Sequence, residues 1–235
     1  AASSNLAPLH RYYELRAKLL GVTPLRVFDT YVPLVGEMSA KHTYEEAVEL
    51  IADASAPLGA EYVRILRNGL LRERWVDRYE SRGKRSGAYS SGCYDSLPYI
   101  LLNYREDDIS SVFTLAHEAG HSMHSWYSQR QQPYQDYRYA IFVAEVASIF
   151  NEQLLLKTLK EKYAGNKQML AYLINEQIDE IKATFYRQVM FSEFEKAVHE
   201  LAEKNQPLTV TVYREIYSEL LSKYFGPAVE IGPLD

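Results

Sequence analysis

Apolar positions recur every three to four residues along most of this chain, the period that lines them up on one face of an α-helix. Leu6 to Leu20 keeps that spacing and stops at Gly21, a residue type that closes helices in the left-handed conformation. Thr43 opens the next run as the first letter of a capping box, with Glu46 three positions later, and this helix is expected to end near Ser55, before Pro57. A third helix is expected from Gly59 to near Tyr79. Further helical runs cover Ile109 to about Arg130, Tyr139 to Lys162, Lys167 to Lys204, and Thr209 to the Gly226-Pro227 break. In the Lys167–Lys204 run the expected buried set is Leu170, Leu173, Ile174, Ile178, Ile181, Phe185, Val189, Phe191 and Phe194. Ala1 to Asn5 reads as a polar start, Val22 to Pro33 as an extended connection, and Gln131 to Tyr137 as a polar turn. Ser81 to Gly92, rich in Gly, Ser, Lys and Arg, reads as a loop or hairpin, and Pro98 to Tyr104 as a short buried strand. The pattern is that of a mostly α chain with a small β-sheet just before the Ile109 helix.

Composition changes this picture little. The 235 residues are 47% hydrophobic and 24% charged, with a net charge of −5, values of an ordinary globular protein that can bury a full core. Acidic residues spread along the chain argue against nucleic acid as a partner. The arginines at 64, 67, 72, 74 and 78 alternate with Glu61, Glu73, Asp77 and Glu80, which reads as a solvated face. No apolar run approaches a membrane span and the start carries no signal-peptide pattern, so the expectation is a cytoplasmic protein with no membrane partner. Cys93 is the single cysteine, in keeping with a reducing compartment. The 20 tyrosines suit the walls of a wet peptide cleft, or simply half-buried helix faces.

The chemistry concentrates in one helix. Thr114 to His121 contains His-Glu-x-x-His, and on a helix the fourth residue on returns to the same face. His117 and His121 therefore aim two imidazoles at one point, the spacing that suits one Zn2+. Glu118, beside the first histidine, is placed to take a proton from a water bound there. The plain alternative is two ordinary helix-face histidines. Gly120 costs about 1 kcal/mol in a helix interior relative to alanine, which points to backbone or substrate packing close against it. His124 lies roughly 10 Å along the axis from His117, too far to share one ion, so it is read as a neighbour that touches substrate or steadies the fold.

A catalytic zinc needs a third protein ligand and an open position. Glu145 is the candidate: a lone carboxylate in the apolar run Phe142 to Phe150, where an unpaired charge is expensive. Its plain alternative is a buried salt bridge. Glu152, two turns on, is the reserve ligand or an acceptor for an imidazole N–H, and Ser148 shares its face.

The runs Phe113 to His124 (Phe-Thr-Leu-Ala-His-Glu-Ala-Gly-His-Ser-Met-His) and Phe142 to Ser148 (Phe-Val-Ala-Glu-Val-Ala-Ser) resemble the thimet-oligopeptidase-like zinc metallopeptidases, and within them the oligoendopeptidase F branch. His10–Arg16, Asp29–Leu34, Gly87–Tyr94, Pro98–Tyr104 and Arg187–Phe194 are similar to the same branch. The resemblance implies a zincin-like helical core, His117, His121 and Glu145 as zinc ligands, Glu118 as general base, and cleavage of short peptides. It also suggests that Gly87, Ala88 and Tyr89, on an edge strand, hold an extended peptide backbone, with Tyr94 flanking them.

Members of that family are longer. Their N-terminal helical wall and their C-terminal His/Tyr segment, which stabilises the oxyanion, have no counterpart in residues 1–235. The whole chain is thus expected to be the catalytic-core portion of a larger enzyme, completed by the missing parts of a longer polypeptide or by another chain. Losing an oxyanion donor typically lowers turnover 100- to 1000-fold, about 3–4 kcal/mol; Tyr89 or Tyr94 would substitute only in part. The rival functions are a truncated zinc- or peptide-binding module with little activity, and a metallocarboxypeptidase.

Overall fold

The computed structural model describes residues 3–36 and 40–232, so the expected polar start lies partly outside the described residues. In chain order the elements are α1 (Ala7–Leu20), β1 (Leu25–Arg26), α2 (Tyr44–Ala54), α3 (Ala60–Leu71), β2 (Val76–Asp77), β3 (Tyr89–Ser91), β4 (Tyr99–Leu101), α4 (Ile109–Gln131), α5 (Ile141–Lys162), α6 (Lys167–Glu180), α7 (Arg187–Glu203), α8 (Val210–Phe225) and β5 (Val229–Glu230). Short 3-10 helices occupy Val27–Tyr31 and Ala56–Leu58, and a π-helical stretch occupies Ile181–Tyr186. The chain divides into two units, Glu37–Leu170 and Ala1–Gly36 with Ala171–Asp235.

In the second of these, α1 closes at Gly21, whose left-handed backbone lets its N–H reach the Ala17 carbonyl. Leu9 and Tyr13 of α1 pack with Met190, Leu221, Tyr224 and Phe225, and with Leu25 and Val229 of the parallel β1–β5 pair. Arg16 is 1% exposed. Its guanidinium donates to the Tyr12 hydroxyl and to the carbonyls of Asp29 and Val32, so the buried charge is solvated by the chain itself. That demand bends the Val22–Pro33 segment. Where the β-branched residues suggest an extended connection, Val27–Tyr31 coils into a 3-10 turn, with Asp29 accepting from the Arg26 N–H at 2.8 Å.

The Lys167–Lys204 run is helical throughout, but its expected buried set is only partly buried. Leu173 is fully buried, whereas Ile174, Ile181 and Phe185 are 45–49% exposed and Phe191 is exposed. Ile174 precedes the π-helical stretch; for Phe191 and the rest of α7 that stretch shifts the rotation, a jump that a 3.6-residue stripe cannot anticipate.

The other unit holds the chemistry. Both bonds of the Thr43 capping box form, Glu46 N–H to Thr43 Oγ1 at 3.2 Å and Thr43 N–H to the Glu46 carboxylate at 2.8 Å. Helix α3 stops at Leu71, well before Tyr79. The cause is Trp75, which folds back onto Gly69: a Cβ at Gly69 would lie 2.3–2.5 Å from the indole ring. Arg74 takes a positive φ of 61° to make the turn. Val76–Asp77 then joins a three-stranded sheet of order β2-β4-β3, with β2 parallel and β3 antiparallel to β4.

Helix α4 starts with Asp108 accepting from Ser110 N–H at 2.9 Å. It buries Ile109, Val112, Leu115, Ala116, Ala119 and Met123. Helix α5 packs against α4, and at Gly120 the two backbones nearly touch. A Cβ there would sit 2.7 Å from Ser148 Cα and 2.8 Å from the Ala147 carbonyl oxygen. The close neighbour that Gly120 implies is therefore backbone. Gly120→Ala should destabilise the chain by about 1–3 kcal/mol in urea unfolding, as overpacking does, despite the better helix propensity of alanine; a neutral or stabilising result would contradict this contact.

Candidate metal centre

The close approach at Gly120 sets the site. It brings one turn of α4, carrying His117 and His121, against the first turns of α5, carrying Glu145 and Ser148. His117 Nε2 and His121 Nε2 lie 3.1 Å apart, and Glu145 Oε2 is 3.3 Å from the first and 3.4 Å from the second. Bonds of about 2.0–2.1 Å at tetrahedral angles separate neighbouring ligand atoms by about 3.3 Å. The three atoms thus have the spacing of one face of a tetrahedral metal site. They are the group among the described residues that could hold a metal ion.

Partners behind the triangle fix its orientation. His117 Nδ1 and Glu152 Oε1 are 2.9 Å apart, so Nδ1–H donates to the carboxylate and the Nε2 lone pair faces inward. The backbone of Ala144 hydrogen-bonds the His121 ring. Ser148, fully buried, donates from Oγ to Glu145 Oε2 at 2.7 Å. Two lone pairs 3.1 Å apart repel unless a proton or cation lies between them, so the donor set fits a metal.

The electrostatics of these groups carry the same tension. Burial pulls the His117 pKa down, but the Glu152 hydrogen bond and the charges of Glu152, Glu118 and Glu145 outweigh it and leave it raised. Burial lowers that of His121, with Glu145 opposing and His117 adding to the fall. Glu118 is 7% exposed, and burial raises its pKa against the opposing pull of His117. Its Oε2 is buried without a hydrogen-bond partner, while the Ser90 backbone interacts with the same carboxylate. A buried carboxylate oxygen left free beside a metal triangle is available to accept a proton.

The other residues singled out from the sequence fall differently. His124 stands apart from the cluster, its ring stacked on Tyr139 at 3.7 Å between centroids. The Gly87 carbonyl accepts from Asn103 Nδ2 at 2.9 Å, and Gly87 itself, at φ 88°, turns the chain into β3. Ala88 is half-buried and Tyr89 is exposed on β3. Tyr94 donates its hydroxyl to the Gln132 carbonyl at 3.0 Å, and its ring packs on Tyr134 and Tyr137, fastening the loop after α4.

Strand parity singles out a residue that the Gly-rich run did not. The N–H groups of Ile100 and Leu102 donate to Trp75 and Asp77 on the β2 side, so Tyr99 and Leu101 turn their backbone groups towards β3. Their partners across the register are Ser91 and Tyr89. Ser90, opposite Ile100, therefore presents its N–H and carbonyl to the open edge of β3.

Comparison with known proteins places the chain in a family. The sequence pattern of Peptidase family M3 matches residues 2–233. This chain belongs to peptidase family M3. It is 49% identical over 237 residues to an oligoendopeptidase F homologue of Borreliella burgdorferi, covering 99% of this chain and 40% of that protein. It is 45% identical over 229 residues to the oligopeptidase PepF of Bacillus subtilis, covering 97% and 34%. Solved structures share the fold. That of oligoendopeptidase-F from Enterococcus faecium aligns at TM-score 0.63 and 31% identity over 97% of this chain and 32% of that one. One from Chlamydophila abortus aligns at TM-score 0.85 and 39% identity over 99% and 38%. The chain spans 34–40% of the length of the two curated relatives. The mostly helical M3 fold with its small sheet thus agrees with the sequence expectation.

Competition with a chromophoric chelator tests the centre. Glu152→Gln, which weakens the acceptor behind His117, should lower zinc affinity 10- to 100-fold, and His117→Ala should lower it further. Glu118→Gln should leave it unchanged. Equal affinities across all three variants would place the metal elsewhere.

Proposed function

We propose that this chain forms the catalytic core of a zinc-dependent oligoendopeptidase that cleaves short peptides. The convergence of His117, His121 and Glu145, with the free buried oxygen of Glu118 beside them, is the observation that carries the reading. In it, the two imidazoles and the Glu145 carboxylate hold one Zn2+, and Glu152, Ala144 and Ser148 orient them. Zinc so held would lower the pKa of a bound water to about 7 and polarise the scissile carbonyl. Glu118 takes the proton of the attacking water and returns it to the leaving amine, a role that contributes typically 100- to 10,000-fold.

The substrate backbone lies along the open edge of β3, where the Ser90 carbonyl can accept from a peptide N–H whatever the peptide's side chains, while the Ser90 backbone also meets the Glu118 carboxylate. The exposed Tyr89 ring and half-buried Ala88 flank that line. Short peptides are the proposed partners and the cytoplasm the proposed location; among the described residues no helix is long and apolar enough to cross a membrane. A second reading, a zinc- or peptide-binding piece with little turnover, draws on the chain's 34–40% share of its curated relatives' length. The remaining parts of a longer polypeptide, or another chain, would then supply the oxyanion donor.

Elemental analysis together with a quenched fluorescent peptide decides between these. One zinc per chain is expected, with measurable cleavage that persists when the peptide's C-terminal carboxylate is blocked; a metallocarboxypeptidase would lose the blocked substrate. Glu118→Gln should keep zinc and lose turnover by at least 100-fold. Turnover retained in that variant would remove Glu118 from the base role, and zinc without cleavage in the parent would favour the binding-module reading.

A further inference from the structure

Strand β3 lies across α4 on the row of residues next to the histidines. Glu118 and Ser122 are four apart and share that row. Ser90 meets both: its backbone interacts with the Glu118 carboxylate, and its Oγ lies 2.8 Å from Ser122 Oγ. Ser122 is fully buried, a position where an unpaired hydroxyl would be costly, and Ser90 is its hydrogen-bond partner. β3 is only three residues long, and its register on β4 is carried by Tyr89 and Ser91. A strand that short is weakly held by its ladder alone. Slippage by one residue would exchange the faces of Ser90 and its neighbours and turn a different pair of backbone groups to the open edge.

We propose that the Ser90–Ser122 hydroxyl pair is a register lock, which makes Ser90 and Ser122 positioning residues for peptide hydrolysis. The lock pins the edge that holds the substrate to the helix row that carries Glu118. The scissile carbonyl, the base and the metal triangle then keep one alignment. The inference rests on the peptidase reading, since without a substrate on the β3 edge the lock has nothing to align. Ser90 itself would touch substrate through its backbone alone, and its side chain acts through Ser122. Neither hydroxyl is among the metal-facing atoms, so the lock governs alignment without holding the ion.

The test compares Ser90→Thr with Ser90→Val in the full chain. The two side chains have nearly the same volume and both favour strands, and they differ in the hydroxyl that reaches Ser122. Ser90→Val should lower kcat for a quenched fluorescent peptide tenfold or more, with zinc affinity unchanged. Ser90→Thr should stay within threefold of the parent. Amide exchange at Tyr89–Ser91 should quicken in Ser90→Val while that of α4 does not. Ser122→Ala, which leaves β3 untouched in sequence, should reproduce the Ser90→Val pattern and serves if the valine variant does not fold. Equal kcat in the two Ser90 variants, or unchanged exchange in β3, would overturn the lock on an active parent. A parent without any peptide turnover would instead remove the peptidase reading, and the lock with it.

Discussion

The site depends on one steric fact: two helix backbones approach so closely at Gly120 that no Cβ fits between them. Helices packed through ordinary side chains sit 8–10 Å apart. At that spacing a carboxylate one turn into α5 would still reach towards α4, but its oxygen would have no reason to fall within 3.3–3.4 Å of two separate imidazole nitrogens. Removing the side chain at one position lets Ser148 seat against α4, and Glu145, one turn earlier, is carried in with it. The helix-propensity cost of glycine is about 1 kcal/mol, a small term beside the geometry it permits. Asn151, one turn after Ala147, extends the same seam. Its amide donates to the Ala147 carbonyl and exchanges hydrogen bonds with the Tyr62 hydroxyl at 3.1–3.2 Å, tying α3 to the back of α5.

The electrostatics of the cluster follow from that packing. Three carboxylates, Glu118, Glu145 and Glu152, surround two imidazoles, and Glu118 and Glu152 do so with little water to screen them. Their effects are not alike. Glu152 is bonded to Nδ1 of His117 and raises the pKa of that ring. Glu118 has a buried oxygen with no partner and is pushed towards its neutral form. Glu145 is half-exposed, and its inward oxygen is shared with Ser148. On the proposed reading one carboxylate orients, one binds, and one has a free oxygen able to move a proton; environment separates three chemically similar groups into these parts.

The sequence made some of this legible and hid the rest for identifiable reasons. His117, His121 and Glu118 could be placed because a helix has a fixed period, and Glu145 stood out as a charge among apolar neighbours. The Thr43 box and the Gly21 stop are local devices that act within four residues, and both form as read. What escaped was non-local. The early end of α3 depends on an indole six residues later folding over Gly69. The 3-10 turn at Val27–Tyr31 answers to a buried arginine on another helix. The exposed apolar residues around Ile181–Tyr186 reflect a change of helical register that no periodic pattern announces. Ser90 escaped because its outward-facing backbone is a matter of strand parity, which requires knowing which side of β4 faces β2.

That parity also constrains how a substrate would be recognised on the proposed reading. A three-residue strand has one residue facing outward, so the open edge of β3 supplies one backbone N–H and one carbonyl at Ser90. The N–H already interacts with Glu118, so a peptide laid along the edge would approach the base at the same point where it meets the strand. Net hydrogen bonds to neutral groups are worth about 1 kcal/mol each, too little to hold a long peptide by this edge alone. Binding through so few backbone contacts is tolerant of side chains and gains its selectivity from alignment. An edge with one recognising residue can be productive only if that residue's position relative to Glu118 is fixed within a fraction of an ångström. On that reading the fixed position is supplied by Ser122, fully buried beneath Ser90 with the two hydroxyl oxygens 2.8 Å apart.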